Sequence, residues 1–197
     1  MAFEYVNRKQ DRYYLQAAKT RTGKTRYYFG RKMTGTPVDP VPEGKEAYES
    51  PETGQVLLRK SKPTRITAEE REAVADGIRR YANLDCFLLD VYGDSLTVYL
   101  STMDEQATSR LLESIRGLGF MQHTSPFMKQ AIVQTSKFSK AVRFQLVDEK
   151  KRLFSIERWC FRGSIDDWID LEYAKSLSKL VQKYFPTLGT DEFYEWV

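Results

Sequence analysis

The sequence predicts an α+β fold: a small N-terminal antiparallel β unit made of two hairpins, followed by an antiparallel sheet with about three helices packed on it. Three observations predict this fold. Turn residues separate short strand-like runs at the front of the chain. A capping box, Thr67 with Glu70, then marks the start of a helix. Beyond residue 66 the predicted order is helix, hairpin, helix, sheet, helix.

Two domains are expected, a basic β-hairpin domain over residues 1–62 and an α+β domain over residues 63–197. The chain has 197 residues, enough for one domain with an appendage or for two small domains. Residues 1–65 hold 14 basic and 7 acidic side chains, whereas residues 66–197 hold 17 basic and 20 acidic ones. A polyanion would therefore dock on the front of the molecule.

The first hairpin is predicted around a three-residue loop at Arg21–Gly23, with Gly23 in the left-handed region. Thr20 then faces Lys24, and the pairing continues outward along both strands. Because side chains alternate along a strand, this register separates a mostly apolar face from a face of cations and tyrosines. The polar face pairs Arg12 with Lys32, Tyr14 with Gly30, Gln16 with Tyr28, and Ala18 with Arg26.

A second hairpin is predicted from Lys45–Ser50 and Gln55–Lys60, a third from Phe87–Val91 and Ser95–Leu100, and a fourth from Ala141–Val147 and Arg152–Phe161. Helical spacing predicts further helices over about Met103–Arg116 and from Ser164 to Tyr184. The segment 119–140 allows two interpretations, a strand at Ala131–Val133 or a helix opening near Ser125.

The polar face of the first hairpin predicts a nucleic-acid-binding surface. Arginine and lysine neutralise phosphates, and tyrosine rings stack on unpaired bases. We expect a non-catalytic intracellular protein that binds RNA or DNA and needs no cofactor or metal. The predicted nucleic-acid-binding residues are Arg12, Tyr14, Lys19, Arg21, Lys24, Arg26, Tyr28 and Lys32.

Two other interpretations of this hairpin stay open. It could be an ordinary solvated hairpin whose lysines protect an edge strand, or an interaction and assembly module that binds an acidic protein partner.

Residues Ala18–Thr25 also end in Gly-Lys-Thr, as phosphate-binding loops do. That loop requires a helix directly afterwards, whereas Arg26–Gly30 has the composition of a strand.

A magnesium-dependent nuclease is a weaker alternative. Asp166 and Asp170 lie four residues apart and would share a helix face, where they could hold Mg²⁺. Acids in a first helical turn also stabilise the helix dipole, which explains them without chemistry. The single histidine, His123, excludes a multi-histidine metal site within one chain.

The rest of the chain points to a cytoplasmic protein. No apolar run approaches the roughly 20 residues of a membrane span, and the N-terminus lacks the apolar stretch of a secretory signal. Cys86 and Cys160 are expected to be buried thiols. Arg158, Trp159, Arg162 and Trp168 could stack on a base or grip a partner, but they could equally belong to the core.

Overall fold

The computed structural model describes residues 1–102, 133–134, 136–162 and 165–195. This part of the chain is mostly β, with 11 strands in three antiparallel sheets and two α-helices. The expected α+β fold with about three helices on a sheet is therefore wrong. None of the described helices is long and apolar enough to cross a membrane.

The described residues fall into two compact units. The first contains residues 1–62, 133–134, 136 and 137, and the second contains residues 63–102, 138–162 and 165–195. Whether residues 1–62 and 63–197 fold as separate domains stays a prediction. The predicted helix over Met103–Arg116, His123 and most of segment 119–140 lie outside the described residues.

Two sheets form the first unit. Their strands are β1 (Glu4–Val6), β2 (Arg12–Lys19), β3 (Thr25–Gly30), β4 (Thr36–Pro37), β5 (Lys45–Glu49) and β6 (Val56–Lys60). Strand β2 pairs with β3 along one edge and with β1 and then β4 along the other, while β5 and β6 form a separate two-stranded sheet. Both hairpins predicted for this region are confirmed, whereas β1 and β4 were not predicted.

A small apolar core joins these two sheets. It contains Leu15 from β2, Phe29 from β3 and Val56 from β6, all buried, together with Tyr13. The Phe3 ring meets the Phe29 ring edge to face at a centroid distance of 6.2 Å. The predicted apolar face of the first hairpin is thus the face that packs inward, whereas Arg12 and Arg26 on the opposite face are exposed.

The second unit contains one five-stranded sheet, and residues of its strands and helices share one apolar core. Its strands are β7 (Phe87–Tyr92), β8 (Ser95–Ser101), β9 (Phe138–Asp148), β10 (Leu153–Arg162) and β11 (Ile165–Ser176), in the order β11-β10-β9-β8-β7. Helix α1 (Ala68–Gly77) continues into a π-helical turn, Ile78–Ala82, and α2 (Leu177–Tyr184) follows β11. The predicted capping box is confirmed, because the Glu70 backbone N–H donates to Thr67 Oγ1 over 3.2 Å.

The helix predicted from Ser164 to Tyr184 is half wrong. Residues Ile165–Ser176 form β11, the longest described strand, and the helix occupies only Leu177–Tyr184. Apolar residues recur in this segment at spacings that suit either structure, and pairing with β10 supplies the backbone hydrogen bonds that decide for the strand. The second half of the predicted stripe is correct, since Leu180 and Val181 are buried in the core.

Candidate nucleic-acid interface

The first hairpin has the register that the sequence predicts. Gly23 is left-handed, with φ of 79°, and the Thr20 backbone N–H donates to the Lys24 carbonyl over 2.8 Å. From there the pairs run from Lys19 with Thr25 to Tyr14 with Gly30. β3 ends at Gly30, so the predicted pair of Arg12 with Lys32 is not part of the ladder. A strand follows Thr25 directly, so a phosphate-binding loop, which needs a helix at that point, is excluded.

One face of this hairpin carries most of the predicted binding residues. We define the hairpin polar face as Arg12, Tyr14, Gln16, Arg26 and Tyr28 of β2 and β3, together with Lys32, which follows the end of β3. The cations Arg12, Arg26 and Lys32 are exposed, and the rings of Tyr14 and Tyr28 are half-buried. Tyrosines in this state keep part of the ring available to solvent while the backbone around them is held by the sheet.

Lys19, Arg21 and Lys24 lie elsewhere on the hairpin. Lys19 is opposite Thr25, and the alternation of side chains places it on the face of Leu15 and Tyr27, away from the hairpin polar face. Its Nζ donates to Thr25 Oγ1 over 3.2 Å. Arg21 and Lys24 flank the glycine of the turn and are exposed. The structure therefore places four of the eight predicted residues on one face of β2 and β3, Lys32 just beyond the end of β3, and Arg21 and Lys24 at the turn.

Gln16 anchors this face from inside. Its side chain is fully buried, and its Oε1 accepts the backbone N–H groups of Thr34 over 2.7 Å and of Gly35 over 2.6 Å. Its Nε2 donates to the Lys32 carbonyl over 2.8 Å. These bonds hold the segment after β3 against β2, so Lys32 is placed by a buried amide and not by a free loop.

Glycine is required at position 30 because of that amide. A Cβ on Gly30 would lie 2.6 Å from Gln16 Nε2 and 3.2 Å from the Lys32 carbonyl oxygen. Gly30 also pairs with Tyr14, and a tyrosine ring can cover a glycine across a strand pair. Nearby, the Tyr28 hydroxyl lies 3.3 Å from the Thr34 hydroxyl, which restrains the ring at its far end.

The cations differ in how far they are neutralised by their own chain. Arg12 forms an ion pair with Glu4 of β1, with Nη1 3.1 Å from Oε1. Arg21, Lys24, Arg26 and Lys32 form no ion pair with any residue in the described part of the chain. Four positive charges around the hairpin thus remain available to an anion.

Arg31 is set apart from this group. Its Nη2 lies 2.7 Å from Asp11 Oδ2, and its Nε donates to the Tyr13 hydroxyl over 3.2 Å. The hydrogen bond with Tyr13, together with the charges of Tyr13 and Asp11, raises the pKa of the Arg31 guanidinium above its ordinary value. The charge of Arg31 is therefore already opposed by a carboxylate, so the omission of Arg31 from the predicted site fits its surroundings.

Two parts of the interface were missed by sequence reasoning. Glu4 brings a negative charge to the edge of the hairpin polar face, opposite Tyr14. Phe3 and Tyr5 alternate with Glu4 and Val6, a weak strand signal that could have revealed β1. The burial of Gln16 had no signal in the sequence, because a glutamine on a polar strand face is normally exposed.

The carboxylate site proposed for a nuclease is not assembled. Asp166 and Asp170 lie on β11 opposite Phe161 and Glu157. Four residues along a strand span about 13 Å, so the two aspartates do not form the close pair expected on a helix. Among the described residues no three histidine, cysteine, aspartate or glutamate side chains are grouped as metal ligands.

The aromatic residues of β10 and β11 form a cluster that is already covered by cations. Trp159 and Trp168 meet edge to face at 5.0 Å between ring centroids. Lys140 Nζ lies 4.2 Å from the Trp159 ring and Arg143 Cζ lies 4.4 Å from the Trp168 ring. Arg158 is buried. The sequence left open whether this group binds a ligand or belongs to the core, and its contacts are those of a packed cluster.

Comparison with known proteins adds no relative to this description: no protein-family model, no curated protein and no solved structure matches the chain.

Proposed function

We propose that this protein binds nucleic acid through the hairpin polar face and the adjoining turn, without chemistry of its own. The observation that carries the proposal is the set of four exposed cations with no ion pair to a described residue, Arg21, Lys24, Arg26 and Lys32, beside two half-exposed tyrosines. Phosphates would replace the carboxylates that these cations lack.

The arrangement suits an unpaired strand. Arg26 and Tyr28 are two residues apart on β3 and therefore share a face. The cation and the ring lie about 7 Å apart along the strand. A nucleotide offers a phosphate and a base at comparable separation, and tyrosine stacks on any base that is not already stacked in a duplex. Sequence-specific reading of a groove is not part of the proposal, because contacts of cations with phosphates carry no sequence information.

A salt series tests the electrostatic part. A fluorescent single-stranded oligonucleotide of unstructured sequence should bind with a slope of log Kobs against log salt near roughly −2.8, if each of the four cations contacts one phosphate. The double substitution Lys24→Gln with Arg26→Gln should reduce the slope by about 1.4, since each lost contact removes about 0.7. Absence of binding, or binding that salt does not weaken, would refute the proposal.

The matched control is Lys150→Gln with Lys151→Gln. These two lysines are exposed in the turn between β9 and β10. Their substitution removes two positive charges from the second unit, as the hairpin variant does from the first. The control variant should keep the slope of the natural protein. If it reduced the slope as much as the hairpin variant, net charge and not the hairpin polar face would govern binding.

The aromatic part is tested at Tyr28. Tyr28→Leu should weaken binding by roughly 5- to 150-fold, the range expected when one base loses a stacking partner. Tyr28→Phe keeps the ring and removes only the hydroxyl that contacts Thr34, so it should bind like the natural protein. Equal effects of the two substitutions would show that the hydroxyl, and not stacking, matters at this position.

A further inference from the structure

The outer edge of β3 carries backbone hydrogen-bonding groups that pair with no described residue. The Leu15 N–H donates to the Phe3 carbonyl and the Leu15 carbonyl accepts from the Val38 N–H, at 2.9 and 3.1 Å. Leu15 therefore directs its backbone groups away from β3, which makes Leu15 and Phe29 a non-hydrogen-bonded pair. In such a pair both residues point outward, so Phe29 directs its N–H and carbonyl to the opposite edge.

Backbone N–H and carbonyl groups point alternately to the two sides of a strand, so the residues two and four positions before Phe29 point in the same direction as Phe29. Tyr27 and Thr25 share the orientation of Phe29, which gives β3 three outward-pointing peptide positions. β3 is the last strand of its sheet, and no described residue pairs with these groups. An edge of this kind is a template for a further strand.

A cleft runs along this edge. It has a volume of about 840 Å³ and is lined by residues of β3, of the facing strand β6 and of the end of β2. Tyr27 and Phe29 contribute aromatic surface, and Leu57 and Leu58 contribute aliphatic surface. Leu57 is 42% exposed, unusually open for a leucine in a strand. The cleft thus offers apolar contacts beside the backbone groups of the edge.

Cations line the same cleft. Lys19 and Arg26 both line it, and they occupy opposite faces of the hairpin. A second copy of β3 would bring another Arg26 and no carboxylate to this edge, because β3 contains no acidic residue, so pairing between copies of this chain offers Arg26 no opposite charge. An acidic strand would meet opposite charge instead, so the charge selects against self-association and in favour of an acidic partner.

We propose that the outer edge of β3 binds an extended peptide segment of a partner protein, in which acidic and apolar residues alternate. The peptide backbone pairs with Thr25, Tyr27 and Phe29. Its apolar side chains enter the cleft against Tyr27 and the leucines of β6, and its acidic side chains lie beside Arg26. This proposal does not rest on nucleic-acid binding, although both ligands would use Arg26 and would therefore compete.

The probe is a blocked hexapeptide, acetyl-Glu-Val-Glu-Val-Glu-Val-amide with a fluorophore, followed by anisotropy. Two versions of it carry N-methyl groups, one on the three valine amides and one on the three glutamate amides. A strand pairs with a neighbour through alternate residues only, so one version should lose binding and the other should keep it. Loss with the methylated valines indicates antiparallel addition, and loss with the methylated glutamates indicates parallel addition.

Failure to bind the unmethylated peptide at millimolar concentration overturns the proposal, as does equal binding of both methylated peptides or equal loss of both. On the protein side, Arg26→Glu should weaken binding by roughly tenfold or more through like-charge repulsion. Lys150→Glu, an equal charge change in the second unit, should leave it unchanged. If the two variants weaken binding equally, the peptide does not lie at this edge.

A backbone variant separates edge pairing from charge. The Thr25 N–H points outward, so Thr25→Pro removes it without disturbing the pairing of β2 with β3. Thr25→Ala is the matched control for the side chain. Binding should fall with proline and persist with alanine, while circular dichroism verifies that both variants are folded. Peptide binding that survives Thr25→Pro, in a protein that still binds the oligonucleotide, would exclude this edge and leave the proposed function standing.

Discussion

Substitution of Gln16 by alanine tests the reasoning that a buried amide organises the hairpin polar face. The change removes three hydrogen bonds between 2.6 and 2.8 Å and leaves two backbone N–H groups and one carbonyl without their partner. At about 1 kcal/mol for each neutral hydrogen bond, the free energy of unfolding of the first unit should fall by about 3 kcal/mol. If the free energy of unfolding falls by about 2 kcal/mol for each 1 M of urea, the urea midpoint of unfolding should decrease by about 1.5 M.

Hydrogen exchange measures the same effect locally. The amides of Thr34 and Gly35 should be protected in the natural protein and should exchange faster after Gln16→Ala, because their acceptor is gone. Gln55→Ala is the control, since Gln55 is an exposed glutamine of the same unit, and it should change stability by no more than about 0.5 kcal/mol. If the two alanine variants have the same urea midpoint and the same exchange rates, Gln16 does not organise the hairpin polar face.

Two further predictions concern the second unit. Glu172 accepts a hydrogen bond from Lys183 over 2.7 Å, and this bond, helped by Tyr184, lowers the pKa of the carboxyl. Its stabilisation is therefore complete above the ordinary glutamate pKa of about 4.3 and is lost as the pH falls through the lower folded value, so Glu172→Gln should flatten the acid side of a stability-against-pH curve. Gly77→Ala places a Cβ onto Val181 Cγ1 and should cost about 1–3 kcal/mol despite alanine's better helix propensity. Val181→Ala in the same chain should recover part of that loss, and strict additivity in a double-mutant cycle would contradict the overlap.

The first hairpin shows what local chemistry can determine. Gly23 can adopt a positive φ at low cost, a three-residue loop sets the pairing of Thr20 with Lys24, and every later pair follows because the side-chain period of a strand is two. The register, the buried side of β2 and β3, and the clustering of Arg26 with Tyr28 were therefore predictable. The start of α1 at Thr67 was predictable for the same reason, since a capping box is complete within four residues.

The segment Ile165–Ser176 shows where such reasoning stops. Its apolar residues suit a helix as well as a strand, and an isolated helix gains little stability without a packed face. The neighbouring strand β10, which pairs with it from Leu153 to Arg162, decides the outcome. With that decision the predicted helix from Ser164 to Tyr184 is reduced to Leu177–Tyr184, and the carboxylate pair of Asp166 and Asp170 is separated along a strand.

The charge at the candidate site depends on the sequence and on the tertiary structure. The sequence by itself determined that the front of the chain is basic and that cations and tyrosines share one ribbon face, because charge and alternation are properties of the chain. Only the tertiary structure decided that Glu4 opposes Arg12, that Gln16 is buried beneath Lys32, and that no described strand pairs with the outer edge of β3. Those outcomes depend on which strands meet, and strand pairing joins residues whose separation along the chain carries no local signal.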